Sequence, residues 1–196
     1  MGENAKRKSA HEVIDFEALR LRLGEDQLRR RLLRQADLWA DSVHQGEGIF
    51  RLEKYIDFDR FVELCLKLGL VYWWGNRNFR SIDVVKNVVA VPDLPTGLEG
   101  FRLLQLSDLH LDLDPRLADV IIGELHGLPA DLAVITGDYR NSIKDDYGPA
   151  IDPVARIVGA IEAPVYGVLG NHDFIEMVDW LEDAGMRMLL NEVAIH

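Results

Sequence analysis

Three apolar runs in the second half of the chain each stop at a polar cluster, and the clusters recur at a similar pitch. FRLLQL runs into Ser107, Asp108, Leu109 and His110; DLAVIT runs into Gly137 and Asp138; APVYGVLG runs into Asn171, His172 and Asp173. Asp108 and Asp138 stand 30 positions apart, and Asp138 and Asn171 stand 33 apart. That is the length of one strand-helix-strand unit. Helix-like segments fill the gaps. Asp114 and Pro115 read as an N-cap and first helical residue, opening a helix to about Leu128, and Asp152 and Pro153 repeat the device. A third helix is expected from Phe174 to Ala184, with Asp173 as its cap, Glu176 in capping-box spacing and Gly185 as its stop. SIDVVKNVVAV, residues 81–91, reads as a further strand, and MRMLLNEVAIH supplies strand material to the end. Strands alternating with helices specify an α/β fold with a largely parallel sheet. Such sheets bind ligands beyond the carboxyl ends of their strands, so the three polar clusters are expected to meet at one edge.

Before residue 80 the character differs, and the chain divides into a helical, charge-rich extension (1–80) and an α/β domain (81–196). DQLRRRLLRQADLW places Leu28, Leu32, Ala36 and Trp39 on one helical face, with Arg29, Arg30, Arg31 and Arg34 around it. This is read as a solvated helix packed on its neighbour, with a membrane-surface or partner helix as the alternative. Gly24 separates it from an earlier turn, and Asp57 to Gly69 should form a buried segment. The following LVYWW is open between a strand and an interfacial belt, with Trp73 and Trp74 as core or interface anchors. His44 and His126 stand alone and are read as surface residues.

Charge sharpens the functional question. Lys and Arg balance Asp and Glu before residue 100, so the net charge of −11 sits in the second half. An acidic field of that kind repels nucleic acid backbones, and a nucleic acid partner is not expected. Bound cations would reverse the field locally. The single cysteine, Cys65, leaves no intramolecular disulfide and no thiolate zinc site. No stretch matches a transmembrane helix or an export signal, so a cytoplasmic chain with at most peripheral membrane contact is expected.

Asp108 and His110 can turn a carboxylate and an imidazole toward one ion, Asp138 has two oxygens with which to bridge a pair, and Asn171 adds a neutral carbonyl. Mixed oxygen and nitrogen donors suit Mn, Fe, Zn or Mg. Two such ions clamp a phosphoryl group and lower the pKa of a shared water.

In their order and spacing, SDLHLD, TGDY and GNHDF resemble the first three motifs of the calcineurin-like metallophosphoesterases. The LPTGLEGFRLLQLSDLH lead-in and LLNE are similar to the YkuE-like branch. The resemblance covers about residues 82–196. It implies a two-sheet β-sandwich core flanked by helices, incomplete here at the C-terminus, with two divalent ions at the strand ends. By motif position it implies Asp108, His110 and Asp138 on the first ion, Asp138 and Asn171 on the second, and His172 as the acid that protonates the leaving oxygen. The implied function is hydrolysis of a phosphomonoester, phosphodiester or pyrophosphate bond. A lipid-linked substrate such as a UDP-diacylglucosamine is one option, although hydrolases of that type usually have Arg where His172 stands.

Two departures bear on this. Asn141 occupies the position where family members commonly carry a second Asp that orients the acid histidine. The family's later strand-end His and Gly-His-x-His loop do not follow the third motif, and His196 does not match either. The chain is therefore read as a truncated phosphoesterase. A non-catalytic metal-binding or interaction module, or a site completed by another polypeptide, are the alternatives. Arg140 is read as a solvent-exposed loop residue rather than a phosphate ligand.

Overall fold

The computed structural model describes residues 14–44, 64–69, 71–143 and 147–195. Its organising element is one parallel sheet of four strands in sequence order: β1 (Leu103–Leu106), β2 (Leu132–Ile135), β3 (Val165–Gly167) and β4 (Arg187–Met188). Parallel neighbours need a crossover. Helices α4 (Leu117–Leu125) and α5 (Gly148–Ala160) supply the first two, and a 3₁₀ turn at Ile175–Met177 with α6 (Val178–Asp183) supplies the third. This is the α/β layering expected, and among the described residues it comprises one sheet of the two that the family resemblance implies.

Period-two alternation decides which sheet face is buried. Leu104 and Leu106 of β1 join Ala133, Ile135, Val165 and Met188 in one hydrophobic cluster with Ile121, Val154, Ile157, Val178 and Leu181 from the helices. The intervening positions Leu103, Gln105 and Arg187 are exposed. Gly185, at φ +100°, ends α6 as expected, and the N–H of Met186 closes the turn on the Leu181 carbonyl.

The helical extension packs on this core. Helix α1 (Phe16–Leu23) is capped by Asp15, whose carboxylate accepts from the Ala18 N–H at 2.9 Å, and Gly24 separates it from α2 (Glu25–His44). Leu19 and Leu28 belong to the same buried cluster as the sheet. Arg22 donates to the Met188 carbonyl at 2.8 Å and to the carboxylates of Glu182 and Glu192. The inner face of α2 differs from the one expected. It runs through Leu28, Arg31, Leu32 and Gln35, whereas Ala36 and Trp39 are exposed. The shift follows from partners: polar groups of the sheet edge meet this helix, and Arg31 and Gln35 answer them.

Other expectations are corrected. Residues 81–91 carry no strand, and Val85, Val88 and Val89 are 74, 100 and 78% exposed. A β-branched run becomes a strand only where a neighbouring edge pairs with it. The strand alternative for LVYWW is not taken, because Val71–Phe79 forms α3, on which Trp73 and Trp74 are exposed rather than core anchors. Residues 64–68 are helical, but Leu64, Leu66 and Leu68 are exposed rather than buried; residues 57–63 of that segment lie outside the described residues. Helix α5 opens at Gly148 with Pro149 in its first turn, so Pro153 lies inside the helix and not at its start. His126 is exposed as expected, while the side chain of His44 lies outside the described set. Among the described residues no helix is long and apolar enough to cross a membrane.

Asp114 closes the loop after β1 onto the extension. Its carboxylate accepts from Arg80 at 2.6 Å and from Arg116 at 2.8 Å. The Arg116 hydrogen bond, aided by Arg80, outweighs the opposing effect of burial and lowers its pKa to about 2. A depressed carboxylate stabilises the fold above its unfolded pKa near 4 and loses that contribution as pH falls through the folded value. Asp114→Asn should therefore lower the melting temperature at pH 7, and the gap from wild type should close between pH 4 and pH 2 in thermal denaturation followed by circular dichroism.

Candidate metal centre

Beyond the carboxyl ends of β1 and β2 the two chains continue side by side. Asp108 N–H donates to the Gly137 carbonyl at 3.2 Å, His110 N–H to Asp138 at 3.0 Å and Leu111 N–H to Tyr139 at 3.0 Å. This pairing needs unusual backbone: Asp108, His110 and Asp138 have φ of 54°, 42° and 53°. Left-handed conformations are costly outside glycine and persist where surrounding contacts enforce them, often at functional sites. Here they turn three donor groups inward. One ligand atom each from Asp108, His110 and Asp138 can be chosen so that all lie within 4.8 Å of one another.

The donor chemistry fits a divalent cation. His110 Nδ1 lies 2.9 Å from the Arg140 carbonyl, which can only accept, so Nδ1 carries the proton and Nε2 keeps its lone pair for an ion. Asp138 is buried and Asp108 exposed. Asn171 is exposed at the end of β3, next to His172, whose N–H donates to Asp138 Oδ1 at 2.9 Å. The imidazoles of His110 and His172 meet edge to face, with centroids 5.2 Å apart. The structure thus gathers Asp108, His110, Asp138 and His172 and sets Asn171 beside them.

His172 is oriented in a way its neighbours in sequence do not reveal. Its Nδ1 lies 2.7 Å from the backbone carbonyl of Asn141. The carbonyl fixes Nδ1 as the protonated nitrogen and leaves Nε2 facing outward. The amide-for-carboxylate change at position 141 therefore does not touch this contact. Asp112 in turn fixes the Asn141 loop, its carboxylate accepting from the N–H groups of Asn141 at 2.6 Å and Ser142 at 2.8 Å. Asp112 extends the alternation of Asp108 and His110, and that alternation was the signal in the sequence.

Two further expectations are overturned. Asp173 does not cap the following helix. It is 1% exposed, and its carboxylate accepts from the N–H groups of Asp138 at 2.7 Å, Gly170 at 2.8 Å and Tyr139 at 3.0 Å. Burial pushes its pKa up, against these three N–H donors. Arg140 is not on the surface either. It is 1% exposed, stacks on the Phe174 ring at 4.3 Å and donates through Nε to the His172 carbonyl at 2.9 Å. It braces the loop that carries His172, a role no local pattern announces.

The two strand-end loops approach so closely that only glycine fits. A Cβ on Gly137, at φ +94°, would collide with the backbone of Gly170, and one on Gly170 would collide with the Asp138 carboxylate and N–H.

A parallel α/β sheet with Asp, His and Asp gathered at its strand ends is consistent with a metallophosphoesterase type of fold. Residues 101–193 match the family model for calcineurin-like phosphoesterases. A "UDP-2,3-diacylglucosamine hydrolase" from Stenotrophomonas maltophilia (strain K279a) is 37% identical over 94 residues, 44% of this chain and 38% of that protein. A "Transmembrane protein with metallophosphoesterase domain" from Danio rerio is 30% identical over 103 residues, 50% of this chain and 23% of the relative. The chain thus spans well under half the length of these relatives. No solved structure matches it.

Gly170→Ala should destabilise the protein by about 3 kcal/mol, the upper range for forcing atoms into a packed site, measured by urea denaturation. Asp173→Asn should cost about 2 kcal/mol, because its amide NH₂ would face backbone donors in place of an acceptor. A loss within 0.5 kcal/mol for either would contradict the packing described.

Proposed function

We propose that this chain contributes a dimetal centre for phosphoester hydrolysis: Asp108, His110 and Asp138 on the first ion, Asp138 and Asn171 on the second, and His172 as general acid. The observation that carries this reading is the convergence of the Asp108, His110 and Asp138 ligand atoms within 4.8 Å, beside an imidazole oriented by a backbone carbonyl. Bound Mn, Fe, Zn or Mg would supply charge for a phosphoryl group and a water of lowered pKa. The protein's own part is orientation and proton delivery. With Nδ1–H committed to the Asn141 carbonyl, protonated His172 presents Nε2–H to a leaving oxygen, the general-acid task an imidazole performs near neutral pH. Arg140 holds the His172 carbonyl and so restricts movement of the ring.

Further histidines would complete both ion shells, either from a longer form of this chain or from another polypeptide. For substrate we favour a lipid-linked phosphoester. The exposed Trp73 and Trp74 of α3, with Arg77 and Arg80 lining a shallow cleft beside Trp73, suit the headgroup layer of a membrane, and one relative is named for the hydrolysis of a diacylated nucleotide sugar. Contact with the membrane would then be peripheral.

Purified protein assayed with Mn²⁺ and bis(p-nitrophenyl) phosphate tests the catalytic reading. Turnover should fall at least 100-fold in Asp138→Ala. His172→Ala should lower kcat by about 100-fold, at the lower end for loss of a general acid, and should remove one limb of the pH–rate profile. Mn²⁺ binding without turnover in the wild type would favour the non-catalytic metal-binding reading.

A further inference from the structure

The four arginines of the α2 stripe are not equivalent. Arg29, Arg30 and Arg34 are exposed, whereas Arg31 is partly buried and points at the sheet edge. Its Nη2 donates to the carbonyl of Gly170 at 2.9 Å and to that of Asp173 at 2.8 Å. These two carbonyls bracket Asn171 and His172. Of the two carbonyls between them, that of His172 is held by Arg140, so two guanidinium groups grip the turn. One turn of helix further on, Gln35 continues the contact. It is 7% exposed, accepts from the Ile175 N–H at 2.8 Å and donates to the Glu176 carboxylate at 3.0 Å. Gln35 therefore provides the cap that Asp173, committed elsewhere, does not.

We infer that Arg31 and Gln35 are positioning residues of the metal centre: from the N-terminal extension they fix the Gly170–Glu176 segment, and through it the placement of Asn171 and His172. The inference rests on the roles proposed above for those two residues. Its physical basis is that a turn at a strand end has few contacts of its own. Asp173 and Asp138 accept its Gly170 and His172 N–H groups and cannot hold its carbonyls, because a carboxylate accepts and does not donate. A planar guanidinium can hold two carbonyls in one geometry, whereas a lysine ammonium offers a single mobile point of attachment. Removal of Arg31 leaves the ligands themselves unchanged and releases the turn that carries one of them. Losses of this kind weaken metal sites by about 10- to 100-fold.

Arg22 provides the control. It ties the same helical pair to Glu182, Glu192 and the Met188 carbonyl and makes no contact with the 170–176 turn among these hydrogen bonds. Mn²⁺ binding by the full chain would be titrated by electron paramagnetic resonance, and amide exchange of the 168–177 peptide followed by mass spectrometry. Arg31→Ala should weaken Mn²⁺ binding about tenfold and accelerate exchange in that peptide. Arg31→Lys should recover part of both, and Arg22→Ala should change neither by more than about twofold, even if its melting temperature falls as far. Equal effects of Arg31→Ala and Arg22→Ala, or unaltered exchange in Arg31→Ala, would overturn the inference. If the wild type itself binds no Mn²⁺, the metal-centre reading fails; faster exchange specific to Arg31→Ala would then still uphold the grip on the turn, and its absence would refute it.

Discussion

The buried carboxylate of Asp173 joins two loops that the chain separates by more than thirty residues. By accepting the N–H groups of Gly170, Asp138 and Tyr139, it brings the end of β3 against the end of β2. The glycines at 137 and 170 are the steric condition for that contact. Asp138 then reaches the His172 N–H, and the β1 loop zips onto the β2 loop through its own backbone. Asn171 and His172 owe their place at the end of β2 to this junction, whereas Asp108 and His110 meet Asp138 through the pairing of the β1 and β2 loops. Burying a carboxylate is unfavourable unless hydrogen bonds satisfy it, and three backbone donors do so here.

Further polar contacts set orientation rather than proximity. Asp112 holds the Asn141 loop, the Asn141 carbonyl holds the His172 ring, and Arg140 holds the His172 carbonyl. Backbone carbonyls fix the protonated nitrogen of both imidazoles, His110 through Arg140 and His172 through Asn141. The N-terminal helices add Arg31 and Gln35 on the far side of the same turn. The extension is thereby joined to the sheet by apolar packing at Leu19 and Leu28 and by polar contacts at the site.

Much of this layout was legible in the linear chain because it is local. Apolar runs of strand length, polar clusters at their ends and a constant spacing define the α/β order and bring Asp108, His110 and Asp138 together without any knowledge of long-range contacts. What was not legible depended on partners remote in sequence. Asp173 stands where a cap should be, yet its partners include N–H groups 34 and 35 residues away; the cap comes from Gln35, 140 residues away. Arg140 sits in a loop, but the Phe174 ring and the His172 carbonyl draw it inward. Residues 81–91 have the composition of a strand and remain unpaired, since strand formation needs an edge as well as a propensity. Asp152-Pro153 has the local form of a helix start, whereas Pro149 already fills the first turn of the helix.

The central claim is that Asp108, His110 and Asp138 form a metal centre. Crystals of the protein grown or soaked with Mn²⁺, and measured for anomalous scattering, test it most directly. The account predicts an anomalous peak within bonding distance of the three side chains, with His110 ligating through Nε2 and its Nδ1 still on the Arg140 carbonyl. Diffraction showing the three side chains as described here, with no peak among them at saturating Mn²⁺, would contradict it.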